Sequence, residues 1–215
     1  MSETVETLYN EAKTRRVRIV YDIESHEDES PFERGDGWGA VIPSGARFTL
    51  TPNTQDRFQS EFDRFNDEGR AGLFARWLKI FHGLEARLLY RYDHSMVAYS
   101  VQSFAGRAQH ADWDSGPCGF VYFAPEDEET RQWWDGLDEE AKAKAYESLG
   151  QEATDWSNNN YYGYIVERRA TGTKVYDDDT EDEEFDEWAE EDSLWGMLGY
   201  DYAEQEAKRA LEEEE

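Results

Sequence analysis

The chain is poor in the features that staple a fold or span a membrane. Among 215 residues there is one cysteine, Cys118, which excludes an intramolecular disulfide framework and an all-cysteine zinc site. A reducing compartment follows as the default. No apolar run approaches the roughly 20 residues that cross a bilayer. The opening Met1-Ser2-Glu3-Thr4-Val5-Glu6 also lacks the apolar stretch of a signal peptide. A cytoplasmic location without a membrane partner is expected. Basic residues are scarce, 22 against 50 acids, and only six of them are lysine. No Walker-type loop, zinc-protease helix or nucleophile elbow is present. No internal repeat and no Pro- or Gly-rich linker divides the chain, so residues 1–215 are read as a single acidic domain.

What is abundant is aromatic surface and negative charge. Rings make up 15% of the residues, with 8 Trp, 13 Tyr and 11 Phe, too many for a disordered chain despite a net charge of -28. Twelve acids lie between Asp177 and Asp192, and Glu212–Glu215 adds four; removing these sixteen takes -28 to -12. Such a field repels nucleic acid and anionic membrane and favours basic partners or cations. Three causes compete: adaptation to high salt, for which the low lysine content speaks; mimicry of nucleic-acid phosphates; and docking to a basic protein without mimicry.

The patterning predicts an α+β fold, an antiparallel sheet of about five to six strands with packed helices. Leu88–Tyr92, Met96–Val101 and Gly119–Phe123 are strands separated by two polar elbows, Asp93-His94-Ser95 and Asp112-Trp113-Asp114-Ser115-Gly116. Val17–Ile23 and Tyr161–Arg168 add two more, with Lys174–Tyr176 as a hairpin partner of the latter. Val5–Lys13 reads as a short helix. Asn53 is a candidate cap of a helix whose Phe58, Phe62 and Phe65 share one face. Leu73, Trp77 and Phe81, beside Phe74 and Leu78, continue the stripe to a stop at His82-Gly83. Helices are also expected over Pro125–Trp134, after Asp138 with Ala141, Ala145 and Leu149 inward, and over Tyr200–Leu211. Gln151–Asn160 reads as a polar lead into the next strand. Asp177–Asp192 reads as a mobile acidic insertion in which Phe185 and Trp188 dock locally, and residues 212–215 as a frayed tail.

Few residues carry recognisable chemistry. The glycines Gly35, Gly37 and Gly39 are spaced G-x-G-x-G and read as a loop rather than a dinucleotide fingerprint. Contiguity argues against Asp93-His94-Ser95 as a triad, because successive extended residues point to opposite faces; a turn in which Asp93 accepts backbone N–H groups is simpler. His94 can still meet Asp114 or Asp192 if the elbows converge. That gives His94, Asp114, Ser115, Asp192 and Ser193 as candidates for a small enzymatic site, and His110, Asp112 and Asp114 as candidates for a divalent cation. No cofactor is otherwise implied. The acidic run is not a calcium loop: counted from Asp177, its sixth residue is Asp182 and its twelfth Trp188. Cys118 opens an apolar strand and reads as a buried structural thiol.

Several strings taken together resemble a known family. They are Arg18-Ile19-Val20-Tyr21-Asp22, Tyr90-Arg91-Tyr92-Asp93-His94-Ser95, Trp113-Asp114-Ser115-Gly116-Pro117-Cys118-Gly119-Phe120-Val121-Tyr122, Tyr162-Gly163-Tyr164-Ile165-Val166-Glu167, and Asp192-Ser193-Leu194-Trp195-Gly196-Met197-Leu198-Gly199. In this order they are similar to a family of uncharacterised proteins of tailed phages and mobile elements, with Y-x-Y-D-H-S-G, W-D-S-G-x-x-G-F, V-Y-G-Y-x-V-E and D-S-C-W-G-F-x-G motifs. The likeness runs from Arg18 to Glu206. Met96 stands where the family has glycine and Leu194 where it has cysteine, so a thiol-based role does not carry over. Around Phe185 the chain lengthens a short family turn.

The resemblance implies an accessory protein in the cytosol of a host cell. Analogy with small acidic proteins of such elements points to a non-enzymatic binder or inhibitor, DNA-mimicking or not, of a basic host protein that handles nucleic acid or serves defence. The expected contact set is Asp177, Asp178, Asp179, Glu181, Asp182, Glu183, Glu184, Asp186 and Glu187, with Trp188 and Trp195 as aromatic anchors. The alternatives are the small enzyme or metal-binding domain at the elbows, and a surface whose charge is salt adaptation alone.

Overall fold

The computed structural model describes residues 3–25, 31–32, 37–42, 56–174 and 183–212. In chain order the elements begin β1 (Thr4–Tyr9), β2 (Arg15–Tyr21), β3 (Trp38–Val41), α1 (Gln59–Asp67), α2 (Gly72–His82), β4 (Ala86–His94) and β5 (Met96–Ser100). They continue α3 (Ala111–Asp114), β6 (Ser115–Phe123), α4 (Glu128–Gly136), α5 (Glu139–Ser157), β7 (Tyr161–Lys174), β8 (Glu183–Leu198) and α6 (Tyr200–Glu212). The class is α+β, with antiparallel sheets and packed helices. The eight described strands form two four-stranded sheets rather than one sheet of five or six. The chain divides into two compact units, Met1–His26 with Asn159–Glu215, and Glu27–Asn158. No described helix is long and apolar enough to cross a membrane.

In the 27–158 unit the strand order is β3-β6-β4-β5, and both faces of the sheet are apolar. Side chains of β6 alternate. Val121 and Phe123 join Leu89, Tyr99 and the helix residues Trp134, Tyr146 and Leu149. Phe120 and Tyr122 join Phe58, Phe62, Phe74 and Leu78 on the other side. The expected Phe58, Phe62 and Phe65 do reach the core, Phe65 only partly buried, but α1 begins just after Phe58, and the expected cap Asn53 lies outside the described residues. The second stripe is rotated from the expected one. Phe74 and Leu78 are wholly buried, whereas Leu73 is 45% and Phe81 70% exposed. Gly83 ends α2 with φ +70, the left-handed stop its sequence predicts.

Asp138 caps α5 by accepting from the Ala141 N–H at 2.8 Å, and Asp127 caps α4 through Thr130 N–H at 2.7 Å. Helix α5 then runs to Ser157, through the stretch expected to be a polar lead. Its length has a purpose in the sheet. The Val97 and Tyr99 N–H groups of edge strand β5 donate to Asn158 Oδ1 (3.0 Å) and Thr154 Oγ1 (2.8 Å), and Asn158 Nδ2 returns a bond to Val97 O.

In the other unit the order is β1-β2-β7-β8. The segment expected as a helix from Val5 is instead strand β1. Its Thr4, Val5 and Thr7 are β-branched, and Asn10 Oδ1 closes the turn by accepting from Thr14 and Arg15 N–H. Lys13 takes φ +53 in that turn. One face of the sheet packs Val17, Ile19, Tyr162, Tyr164, Val166 and Met197 against Ala203 and Ala207 of α6, whose small side chains let the helix come close.

The acidic stretch is the largest departure from expectation. From Glu183 onward it is not a mobile insertion but strand β8, in register with β7 from Lys174↔Glu183 to Tyr161↔Leu198 with two one-residue shifts. Lys174 closes β7, while Val175 and Tyr176 of the expected hairpin partner, like residues 177–182, lie outside the described residues. Cations on β7 explain the pairing. Arg169 and Lys174 face Asp186 and Glu187, offsetting the repulsion that makes the sequence read as unstructured.

Candidate functional site

The elbow at Asp93-His94-Ser95 is the β4–β5 turn. His94 and Met96 pair across it, and Ser95 absorbs the reversal with φ +67. Asp93 does not collect backbone N–H groups as expected; its carboxylate takes Arg91 Nη2 at 3.0 Å. The second elbow lies alongside because Tyr92 is opposite Ser115 in the β4–β6 ladder, while α3 delivers Asp114 just before β6 starts. His94 Nδ1 is consequently 2.8 Å from Asp114 Oδ2. The carboxylate can only accept, so the imidazole Nδ1–H donates to it. The His110 ring sits 5.6 Å from that of His94, and Tyr92 pins the intervening loop by donating to Gln109 O at 2.9 Å.

This convergence is an Asp–His dyad. The Ser115 hydroxyl donates to Ala111 O at 2.7 Å, one helical turn back, so its hydrogen is committed to the end of α3. Asp192 and Ser193 lie on β8 of the other unit, where Asp192 Oδ1 accepts from Ser193 N–H at 2.8 Å. Asp112 is exposed beside Trp113, itself 75% exposed. Among the described residues no three His, Cys, Asp or Glu side chains are grouped so as to hold a metal ion; His110, Asp112 and Asp114 do not form a ligand set. Of the glycine run, Gly35 lies outside the described residues, and Gly39 sits in strand β3, Trp38–Val41, where a phosphate-binding helix would begin. Burial pushes the Cys118 thiol up to about 12, which leaves it protonated and unreactive.

Several motif residues carry structure. The Asp22 carboxylate accepts N–H groups from Glu24 (3.1 Å), Ser25 (3.0 Å) and Gly196 (2.9 Å) and the Ser25 hydroxyl (2.5 Å). Burial opposes its charge, yet the hydrogen bonds of Ser25, Gly196 and Glu24 hold it below the usual carboxylate range. Gly196, at φ +80, belongs to a bulge where two β8 residues face Gly163. A Cβ on Gly163 would stand 2.5 Å from the Trp195 ring. The YGY and DSLWG strings thus lock one bulge.

The expected contact set is only partly within the described residues. Asp177, Asp178, Asp179, Glu181 and Asp182 lie outside them, and Glu183 is described as the first residue of β8. Glu184 is exposed. Asp186 accepts two bonds from Arg169 at 2.7 and 2.5 Å, which hold its carboxyl below the usual range, and Glu187 is 3.6 Å from Lys174 Nζ. Glu191 faces Arg15 at 3.3 Å and also Arg168. Trp188 is covered by the Arg16 guanidinium, 4.4 Å from its ring, with Tyr9 edge-on at 6.0 Å; it is an internal stacking partner rather than a free anchor. Trp195 stays 42% exposed.

Two features escaped the sequence. One is the triad of charges formed by Glu167, 6% exposed, with Arg16 (2.6 Å) and Arg18 (2.9 Å). The other is a buried bond from Tyr122 Oη to Asp56 Oδ2 at 2.6 Å. Burial raises the Asp56 carboxyl and the Tyr122 phenol alike. The pair stands behind Phe58, whose ring lines an open cleft of about 670 Å³. Partners distant in sequence make both features, so no local string announces them. No protein-family model matches the chain, nor does any curated protein or solved structure.

Proposed function

We propose that the protein is a phage or mobile-element accessory protein that works without catalysis, as an acidic binder or inhibitor of a basic host protein that handles nucleic acid or serves defence. The observation that carries this reading is the placement of seven acids among residues 183–192 on an ordered edge strand. A strand advances about 3.4 Å per residue and its side chains alternate between the two faces, so the acids from Glu184 to Asp192 spread over roughly 27 Å on both sides of the sheet edge, an anionic border that a cationic surface can match. Part of the charge is answered from β7 and β2, which favours a short basic patch over full imitation of a duplex. Glu184, Glu190 and Asp192 are exposed on this strand and are the contacts most open to a partner. The Ser115 hydroxyl, already spent on Ala111 O, argues for binding over acyl-transfer chemistry.

The test compares the protein with an E184Q/E190Q/D192N variant as bait for host lysate. Capture of a cationic protein at about 50 mM NaCl should fall steeply by about 300 mM, where exposed charges are screened, and should weaken at least about tenfold in the variant. Capture indifferent to both salt and variant removes the electrostatic mechanism.

A further inference from the structure

We infer that the open cleft of the 27–158 unit binds a small aromatic phosphate of the mononucleotide class. At about 670 Å³ the cleft has the size of a small-molecule site. Its charge departs from that of the chain as a whole: Arg57 from the turn before α1, Arg131 from α4, where it also donates to Pro125 O at 3.2 Å, and Lys142 from α5 all line it, in a protein where acids outnumber bases 50 to 22. Three cations suit a dianion better than a single carboxylate. The wall is aromatic, with the rings of Phe58 and His82 4.7 Å apart and Trp134 also in the lining. The cations already lie against rings, Arg57 4.8 Å from Phe58 and Lys142 5.9 Å from Trp134, so an anion they hold has a planar surface beside it.

Three acids, Glu85, Glu126 and Asp135, also line the cleft. They would repel a bare phosphate ester, but they accept hydrogen bonds from sugar hydroxyls and an exocyclic amine. Anion, ring and donors in one molecule describe a nucleotide. A polynucleotide is disfavoured because every further phosphate meets the field of a -28 chain.

Titration calorimetry with AMP, adenosine, inorganic phosphate and a single-stranded DNA decamer tests the inference on the full chain. AMP should bind, with adenosine and phosphate each at least about tenfold weaker, since each lacks one half of the recognition. K142E and R57E should each weaken AMP at least about tenfold, while K144E, on the same helix but not in the cleft, should leave it unchanged. Near-ultraviolet circular dichroism establishes that the variants are folded. No heat with AMP at about 5 mM, affinity untouched by K142E and R57E, or a decamer binding more tightly than AMP would each overturn it. Failure here leaves the acidic-strand reading intact, since β8 contributes nothing to this cleft.

Discussion

One sheet ends in β5, whose outward N–H groups are taken by Asn158 and Thr154; the other ends, among the described strands, in β8, which pairs with β7 and is lined with carboxylates. The faces differ in the same sense. The sheet of the 27–158 unit is apolar on both sides. The other sheet turns its apolar cluster toward α6, and its opposite face mixes Arg16, Arg18 and Glu167 with the fully buried Val20. At β5 the first sheet is closed by the end of its own helix α5. The second is left with an edge and part of a face kept soluble by charge, where an open strand would otherwise recruit another. The negative charge of this chain thus has a structural use at β8 before any partner is considered.

The sharpest way to break the contrast is in the two-sided core. Phe74 is fully buried, its ring 5.2 Å from that of Phe62 and 5.9 Å from that of Phe120. Phe74→Ala should cost about 3–5 kcal/mol in urea denaturation. A cost under about 1.5 kcal/mol would mean that this face is not the packed core described.

The next effect belongs to the charged face. Burial works against ionised Glu167, but bonds from Arg18 and Arg16 outweigh it and hold the carboxyl below its usual value of 4.5. A depressed folded value stabilises above the unfolded one and is lost as pH falls through the folded one. The protein should therefore shed stability on acidification below about 4.5, and Glu167→Ala should remove that part of the profile. At neutral pH the variant should lose roughly 2–3 kcal/mol. That is below the figure for a fully buried pair, since Arg16 and Arg18 keep 20% and 27% exposure to screen their charges. A pH profile identical in protein and variant would show that the triad does not stabilise the fold.

How much of this the sequence disclosed depended on whether the cause was local. The cap at Asp138, the stop at Gly83 and the strands around the elbows rest on residues within a few positions of each other, whereas Asp127, expected inside the first turn of α4, is its cap. The approach of His94 to Asp114 was foreseeable only as a condition, because it needs the β4–β6 register. Strand β1 was misread because its partner lies beyond a turn closed by Asn10. Strand β8 was misread because the cations that offset its acids sit on β7, up to 23 residues earlier, as in Arg168 with Glu191. Arg16 and Glu167, 151 positions apart, leave no trace in composition or period.

The smallest effects on stability should separate the two edges most cleanly. Asn158→Ala strands the Val97 N–H, which loses its acceptor at the seal of β5, and should cost about 1–2 kcal/mol. The E184Q/E190Q/D192N variant removes exposed charges and no buried partner, so its unfolding free energy should move by less than about 1 kcal/mol. Its solution behaviour should change more: with the like-charge barrier lowered, β8 offers unpaired N–H and C=O groups to a second β8, and analytical ultracentrifugation should show self-association that sodium chloride no longer controls. Asn158→Ala tests the opposite design, since a side chain rather than charge guards β5; its association should be insensitive to salt from the outset. If the triple variant stays monomeric, β8 is protected by something other than its carboxylates, and their density on that strand is then free to be explained by recognition alone.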